Sequence, residues 1–181
     1  MTFAFLIANM FYRELAYWRL FDGICIRLCE EVLDMKTMVI MIGIQGSGKS
    51  TFYHKYLADS FVHINLDNLK TRHREKLLIS ECIQSGKSFA IDNTNPTRAD
   101  RQRYIPLAQR EGYKVIGYFM ESKLKTCIER NNQRSGTARI PEIAVAATSN
   151  KLQMPGYDEG FDEIYFVKND GKTMVIEDWR E

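Results

Sequence analysis

The chain has 181 residues, of which 45% are hydrophobic and 27% charged, a composition that predicts a globular protein with a sizeable core and excludes a disordered or fibrous chain. The formal charge is only +2, so any polynucleotide partner would have to be bound by a local basic patch rather than by the charge of the whole molecule. The four cysteines, Cys25, Cys29, Cys82 and Cys127, lack zinc-ligand spacing, and free thiols in a reducing, cytoplasmic location are expected.

The first 34 residues are expected to be separate from the rest of the chain. Their uncharged apolar run ends at Arg13, well short of the about 20 residues that a membrane span needs, so no membrane association is expected. Met35 and Met38 directly precede the first predicted strand. Two interpretations follow: residues 1–34 are a non-native extension from an upstream start codon, which we favour, or an added amphipathic docking helix. The predicted domain comprises residues 35–181.

From Met38 onward, short apolar runs alternate with helical stretches, which is the pattern of a parallel α/β sheet. The first run is apolar throughout, as expected for a strand that is covered on both faces. A further short strand, 173–176, is expected after the Asn169-Asp-Gly turn. The five main predicted strands are 39–42, 61–66, 88–91, 115–119 and 163–167, and the predicted helices are 49–58, 69–84, 98–111, 124–133 and 141–151.

The loop after the first strand carries the clearest motif of the chain. Gly43-Ile-Gln-Gly-Ser-Gly-Lys-Ser matches G-x-x-x-x-G-K-[ST] and lies between a predicted strand and a predicted helix, as this motif requires. Its glycines allow backbone N–H groups to surround phosphate oxygens at a helix N-terminus. Lys49 is expected to contact the β- and γ-phosphates, and the Ser50 hydroxyl to bind Mg²⁺. The segment predicts a triphosphate site made of Gly43, Gln45, Gly46, Ser47, Gly48, Lys49, Ser50 and Thr51.

Carboxylates follow the next two predicted strands. Asp67 comes after the second strand, and Asp92-Asn-Thr-Asn-Pro follows the third. Ligands of open α/β sheets bind at the carboxyl ends of the strands, so both carboxylates are expected near the γ-phosphate. One could accept a proton from an attacking hydroxyl while the other orders the metal's water shell or positions partners. A helix N-cap is the alternative role for Asp67, and it is compatible with the first.

Arginines further along the chain suggest a lid. Arg130 and Arg134 are four residues apart and share one helix face, and a segment with Ser, Gly and Thr follows them. Such a segment suits a lid that closes over a triphosphate and brings guanidinium groups to its developing charge. The alternative is a solvated helix face.

Two basic stretches could face an acceptor. Residues 70–76, of which Lys70 is nearest to Asp67, could follow a phosphate backbone or form a solvated helix surface, and Arg101 lies in a second stretch. His54 and His63 are expected to be structural, since neither has a partner at metal-ligand spacing.

Residues 43–51, 63–67, 91–96 and 130–134 together resemble the polynucleotide 5′-hydroxyl kinases, in their phage-type and mammalian-type forms. The resemblance extends over residues 38–167. It implies an α/β fold, a P-loop NTPase of the adenylate-kinase-like kind with a parallel five-stranded sheet, helices on both faces and a small arginine-bearing lid. It also implies ATP as phosphate donor with Mg²⁺, a 5′-hydroxyl end of DNA or RNA as acceptor, and no obligate protein partner.

The same resemblance assigns roles to residues. Asp67 would be the general base, Lys49 and Ser50 would bind the donor phosphates and metal, Arg134 would act on the transition state, and Arg130 would help to bind the nucleotide. Contacts with the acceptor would come from Asp92, Asn93, Asn95, Lys70 and Arg101. The phage-type enzymes have arginine at the positions of Leu66 and Lys70, and lysine lacks the bidentate fork of arginine, so their grip on an acceptor phosphate is not carried over.

Two other functions fit the same motifs. A small-molecule kinase that acts on a sugar, a nucleoside or a nucleotide-sugar would also need a strand-end aspartate and a lid. A nucleotide-switched binding module without kinase activity would need neither Asp67 as a base nor Arg134 in a lid, so the presence of both disfavours it.

Overall fold

A computed structural model describes residues 35–171 and 173–180 of the chain. The predictions made for residues 1–34, including the docking helix and the thiols of Cys25 and Cys29, lie outside the described residues.

One sheet contains all the strands of the described part, in the order β2-β3-β1-β4-β5-β6. The first five strands are parallel, as predicted. β6 pairs antiparallel with β5, so the sheet has six strands, and the short strand expected after the Asn169-Asp-Gly turn is its edge. The strands are β1 Thr37–Ile42, β2 Val62–Ile64, β3 Phe89–Ile91, β4 Lys114–Met120, β5 Glu163–Asn169 and β6 Met174–Asp178.

The helices follow the predicted ones, with two of them divided. The predicted helix 69–84 breaks where Lys70 adopts a φ of 67° and the Thr71 hydroxyl accepts a hydrogen bond from the Arg74 amide, which starts a new helix. The predicted helix 98–111 is interrupted before a proline in the first turn of its second half. The helices are α1 Lys49–Phe52, continued by a π-helical turn Tyr53–Leu57, α2 Leu66–Leu69, α3 Arg72–Gln84, α4 Arg98–Arg101, α5 Ile105–Arg110, α6 Leu124–Asn132 and α7 Glu142–Lys151.

Both faces of the sheet are covered, as the continuous apolar run of β1 predicts. Met38, Ile40 and Ile42 join a core cluster with residues of α3 and α5. Val39 and Met41 face the other way and join a second cluster with α1 and its π-helical turn. Because successive strand side chains alternate between faces, one apolar strand supplies both cores and becomes the centre of the sheet.

The strand order determines where a ligand can bind. β1 lies between β3 and β4. The strand order reverses at β1, because β2 and β3 lie on one side of it and β4 and β5 on the other. The loop after Ile42 therefore lies at the point where ligands of such sheets bind. β2 and β3 end beside the same loop, since all three strands are parallel. Within residues 35–171 and 173–180, no helix has the length and apolar character needed to cross a bilayer.

Candidate functional site

The loop after β1 requires glycine at two positions. Gly48 has a φ of 102° and immediately precedes α1, and Gly46 has a φ of 80°. A Cβ atom on Gly46 would lie 2.3 Å from the backbone oxygen of Cys127, a distance that no side-chain movement could relieve. The predicted phosphate-binding conformation is therefore one that only glycine can adopt here.

Lys49 lies at the centre of this loop. Its ammonium donates hydrogen bonds of 2.9 Å to the carbonyl oxygens of Gly43 and Ile44. Burial lowers the pKa of Lys49 to about 8, although the charges of Asp92 and Asp67 act in the opposite direction. Both carboxylates are therefore within electrostatic reach of this ammonium, as predicted from the strand ends. The positive charge of Arg134 also reaches it and lowers its pKa.

Asp92, at the end of β3, is almost fully buried beside the phosphate-binding loop. Its Oδ2 accepts hydrogen bonds from the Ser50 hydroxyl at 2.7 Å and from the Asn65 amide at 3.1 Å, and lies 2.9 Å from Nε2 of His63. Burial alone would raise the pKa of the Asp92 carboxyl, but the hydrogen bonds from His63 and Ser50 outweigh it and lower the pKa. Because Ser50 is the predicted metal ligand, its bond to Asp92 places this carboxylate beside the expected metal site, and the predicted contact of Asp92 with the acceptor stays a prediction.

The donor set of this loop fits a metal-bound triphosphate. Three buried polar atoms here, Gln45 Oε1, Ser47 Oγ and Asp92 Oδ1, have no hydrogen-bond partner within the described part of the protein. Buried polar atoms without partners are costly and uncommon, so their concentration at one loop indicates a polar ligand. Carboxylate and hydroxyl oxygens are the ligands that Mg²⁺ and its water shell prefer, and Ser50 and Asp92 provide both.

Asp67 lies in the first turn of α2. Asn65 is the N-cap of this helix, because its Oδ1 accepts a hydrogen bond of 2.8 Å from the Asp67 amide. The alternative role of Asp67 as an N-cap is therefore wrong, and its carboxylate is exposed. A second contact fixes the same helix, since Asn93 Oδ1 accepts from the Leu66 amide at 3.0 Å.

Two of the predicted acceptor residues, Arg101 and Asn95, are buried. Arg101 is fully buried, and its Nε and Nη2 donate to the two carboxylate oxygens of Glu159 at 2.7 and 2.6 Å. The prediction that Arg101 binds the acceptor is wrong, since no part of it reaches solvent. Asn95 is also buried, and its amide donates to the Met41 carbonyl at 2.8 Å. Lys70 is exposed at the C-terminus of α2.

Arg130 and Arg134 line a cavity of about 600 Å³ together with Gly46, Gly48 and Thr51. The structure thus brings the arginines of the predicted lid to the triphosphate loop, which is far from them in the sequence. Arg130 Nη2 donates to the Asn169 carbonyl at 2.7 Å. Asn169 in turn donates from Nδ2 to the Ser47 carbonyl at 3.3 Å, so β5 connects the arginine helix to the phosphate-binding loop.

The base of the lid is closed by a residue that the sequence did not indicate. Asn131 is fully buried, and its amide group exchanges hydrogen bonds with the backbone of Ile140 at 2.6 and 3.0 Å. These two bonds join the ends of the segment 132–139. Arg134 therefore lies on a short loop that is anchored at both ends.

A buried polar network behind Asp67 was also missed. The Glu75 carboxylate, 3% exposed, accepts hydrogen bonds from Asn93 Nδ2 at 2.7 Å and from the Tyr104 hydroxyl at 3.1 Å, and forms an ion pair with Arg72. It thereby orients the Asn93 amide that binds the Leu66 backbone. One sequence feature pointed to it: Glu75 is the acidic residue within an otherwise basic stretch. His63, on β2, and Asn65, directly after it, were missed as well, since only the pairing of β2 with β3 brings them to Asp92.

Comparison with known proteins places this geometry in a family. A family model described as an AAA domain matches residues 38–155. A protein of Acanthamoeba polyphaga mimivirus, provisionally named a bifunctional polynucleotide phosphatase/kinase, is 38% identical over 139 residues, which are 73% of this chain and 33% of that protein. The bifunctional polynucleotide phosphatase/kinase of Schizosaccharomyces pombe is 30% identical over 131 residues, 70% of this chain and 32% of that protein. The chain thus spans about one third of the length of these relatives.

A solved structure shares the fold at low sequence identity. The gluconokinase from Sinorhizobium meliloti 1021 superposes with a TM-score of 0.52 and 15% identity, over 74% of this chain and 83% of that one. At this identity the likeness concerns the fold alone.

Proposed function

Because this chain belongs to the AAA domain family and is a P-loop kinase domain, we propose that it transfers the γ-phosphate of ATP to the 5′-hydroxyl end of a polynucleotide. The observation that supports this most is the arrangement around the phosphate-binding loop. Asp92 accepts a hydrogen bond from Ser50 at 2.7 Å, Arg134 lines the same cavity as Gly46 and Gly48, and Asp67 lies in the first turn of the helix after β2, which pairs with β3. These groups would provide a base, a metal-side carboxylate and a cation for the transition state, which is what phosphoryl transfer requires.

The donor half of the reaction would take place at the phosphate-binding loop. Backbone N–H groups and Lys49 bind the β- and γ-phosphates. Ser50 and Asp92 would hold Mg²⁺ here, and the ion would supply charge neutralisation at the phosphate oxygens. Arg130 and Arg134 line the cavity beside these groups and neutralise the charge that spreads over the transferred group.

The acceptor half would depend on Asp67. Its carboxylate accepts the proton of the acceptor hydroxyl as that oxygen forms a bond to the γ-phosphorus. The bond between the γ-phosphorus and the bridging oxygen breaks, and ADP leaves with the bonding electrons. Asn65 and Asn93 both bind the backbone of the helix turn that carries Asp67, so they limit the positions that its carboxylate can take.

The acceptor class rests on the relatives. Two proteins named as polynucleotide phosphatase/kinases match at 30–38% identity, whereas the gluconokinase shares the fold at 15%. A small-molecule kinase is the second candidate, since its fold is the same. A nucleotide-switched binding module is less favoured, because such a module needs no general base and therefore does not explain an aspartate at the position of Asp67. The buried thiols of Cys82 and Cys127 are both free, which supports the proposed cytoplasmic location.

The test incubates the full chain with γ-labelled ATP, Mg²⁺ and either a 5′-hydroxyl oligonucleotide or a panel of small alcohols that includes gluconate and nucleosides. We expect label on the oligonucleotide. For Asp67→Asn we expect a loss of about 10²–10⁴-fold in kcat with unchanged ATP affinity, whereas Asp59→Asn, an exposed aspartate outside both described cavities, keeps the wild-type rate. Label on small alcohols alone would refute the polynucleotide acceptor, and a fully active Asp67→Asn would refute the base.

A further inference from the structure

A second cavity, of about 250 Å³, lies between the loop after β3 and helix α7. Its walls include Arg72 from α3, Asn93 from the loop, and Thr148 and Lys151 from α7. It shares no lining residue with the larger cavity at the phosphate-binding loop. Asn93 connects it to the proposed base, since the Asn93 side chain binds the amide of Leu66, the neighbour of Asp67. The cavity therefore borders the acceptor side of the site.

Arg72 is held in this wall in one orientation. Its Nη1 donates to Glu75 at 2.8 Å and to the Tyr104 hydroxyl at 2.7 Å. The carboxylate of Glu75 is buried, while the side chain of Arg72 is 47% exposed. Nε and Nη2 of Arg72 have no hydrogen-bond acceptor among residues 35–171 and 173–180. A fixed guanidinium with unused donors is pre-organised for a planar, bidentate oxyanion.

The charge of the cavity has the sign that such a ligand needs. Arg72 and Lys151 contribute two positive charges. Asp100 contributes one negative charge, but its carboxylate already accepts the Thr97 hydroxyl at 2.6 Å and pairs with Arg103 at 3.3 Å. The positive charge of Lys151 and the Nε and Nη2 donors of Arg72 are therefore available to a ligand.

We propose that this cavity binds an oxyanion of the acceptor, a phosphodiester phosphate next to the reacting nucleoside, and that Arg72 is its specificity-determining residue. This inference rests on the proposed kinase function and deepens it. It also replaces Arg101, which was expected from the sequence to bind the acceptor but is fully buried. The carboxylate of a sugar acid has related chemistry, so the experiment includes it.

The test compares two acceptors that differ in one charge: a thymidine dinucleotide with a 5′-hydroxyl and one internal phosphate, and the same dinucleotide with an uncharged methylphosphonate linkage. We expect the wild-type chain to prefer the charged dinucleotide. In Arg72→Gln the KM for the charged dinucleotide should rise about 10- to 100-fold, the range for a hydrogen bond to a charged group. The KM for the methylphosphonate and for ATP should stay unchanged.

Arg110→Gln is the matched control, because Arg110 is an exposed arginine of α5 that lines neither cavity. Lys151→Gln is the second variant, since it leaves the hydrogen bonds of Glu75 intact. It should raise the KM for the charged dinucleotide and leave the KM for the methylphosphonate and for ATP unchanged. The proposal would be overturned if the wild type had an equal KM for both linkages. It would also be overturned if neither cavity variant raised the KM for the charged dinucleotide beyond that of Arg110→Gln.

The outcomes separate this inference from the proposed function. Transfer to gluconate, but to neither dinucleotide, would refute the polynucleotide acceptor, and its dependence on Arg72 would then assign the cavity to a carboxylate. If the wild type transfers phosphate to no acceptor, calorimetric binding of the charged dinucleotide decides the inference by itself. Binding that Arg72→Gln weakens at least tenfold supports the cavity, and binding that is absent or unaffected overturns it.

Discussion

Replacement of Arg101 with methionine is expected to destabilise the domain strongly and to leave phosphate transfer chemistry intact. The guanidinium of Arg101 is fully buried and makes two hydrogen bonds to Glu159. It also donates to the backbone oxygens of Asn95 and Gln153 at 3.2 Å each. One side chain therefore joins the loop after β3 to the segment between α7 and β5.

The size of the effect follows from the charge that remains. Without Arg101, the Glu159 carboxylate stays buried with no cation, a situation that costs about 3–5 kcal/mol. For a chain of this length each kcal/mol lowers Tm by roughly 2–4 °C, so the expected fall is roughly 6–20 °C. The double variant Arg101→Met/Glu159→Leu should recover most of the loss, because it removes the uncompensated charge as well.

Urea unfolding followed by circular dichroism measures this free energy directly. Arg98→Met is the matched control: Arg98 lies in the same helix and pairs with Asp158, but this pair is exposed, and such pairs contribute about 0–1 kcal/mol. The reasoning would be refuted if Arg101→Met were as stable as Arg98→Met. A stable Arg101→Met with a raised KM for the acceptor would restore the substrate-binding role that the sequence suggested.

Three further changes address the site. Arg134→Ala is expected to lower kcat by about 10³-fold in steady-state assays, and an effect confined to the acceptor KM would assign Arg134 to substrate binding instead. Gly46→Ala places a Cβ atom 2.3 Å from the Cys127 carbonyl at a φ of 80°; strain of about 1–3 kcal/mol should weaken ATP binding about tenfold or more, and unchanged affinity in a nucleotide titration would contradict the loop geometry. Glu75→Gln should disorient Asn93 and lower kcat about tenfold with an unchanged KM for ATP. If kcat fell and the KM for ATP rose by similar factors, the role of Glu75 would be purely structural.

The strands and the phosphate-binding loop could be predicted because their determinants are local. The apolar run of β1 is continuous in the sequence, and each of its residues needs only burial on one face or the other. Gly46 and Gly48 are needed for backbone conformations that neighbouring residues cannot change. The helix boundaries were harder, since the break at Lys70 depends on one positive φ, which lysine adopts rarely.

The roles of the carboxylates and arginines depended on tertiary contacts. The pairing of Ile64 with Ile91 brings the ends of β2 and β3 together, and this register, rather than any local pattern, directs His63 and Asn65 to Asp92. Arg101 and Arg72 are both arginines near an acidic partner in a basic stretch, and nothing local distinguishes them. The buried Glu159, 58 residues further along the chain, makes Arg101 part of the core. Glu75 instead binds only Nη1 of Arg72, so Nε and Nη2 of Arg72 stay at the surface. Whether an arginine can be buried depends on the acidic residues that the fold brings to it, because a buried charge without a partner is costly.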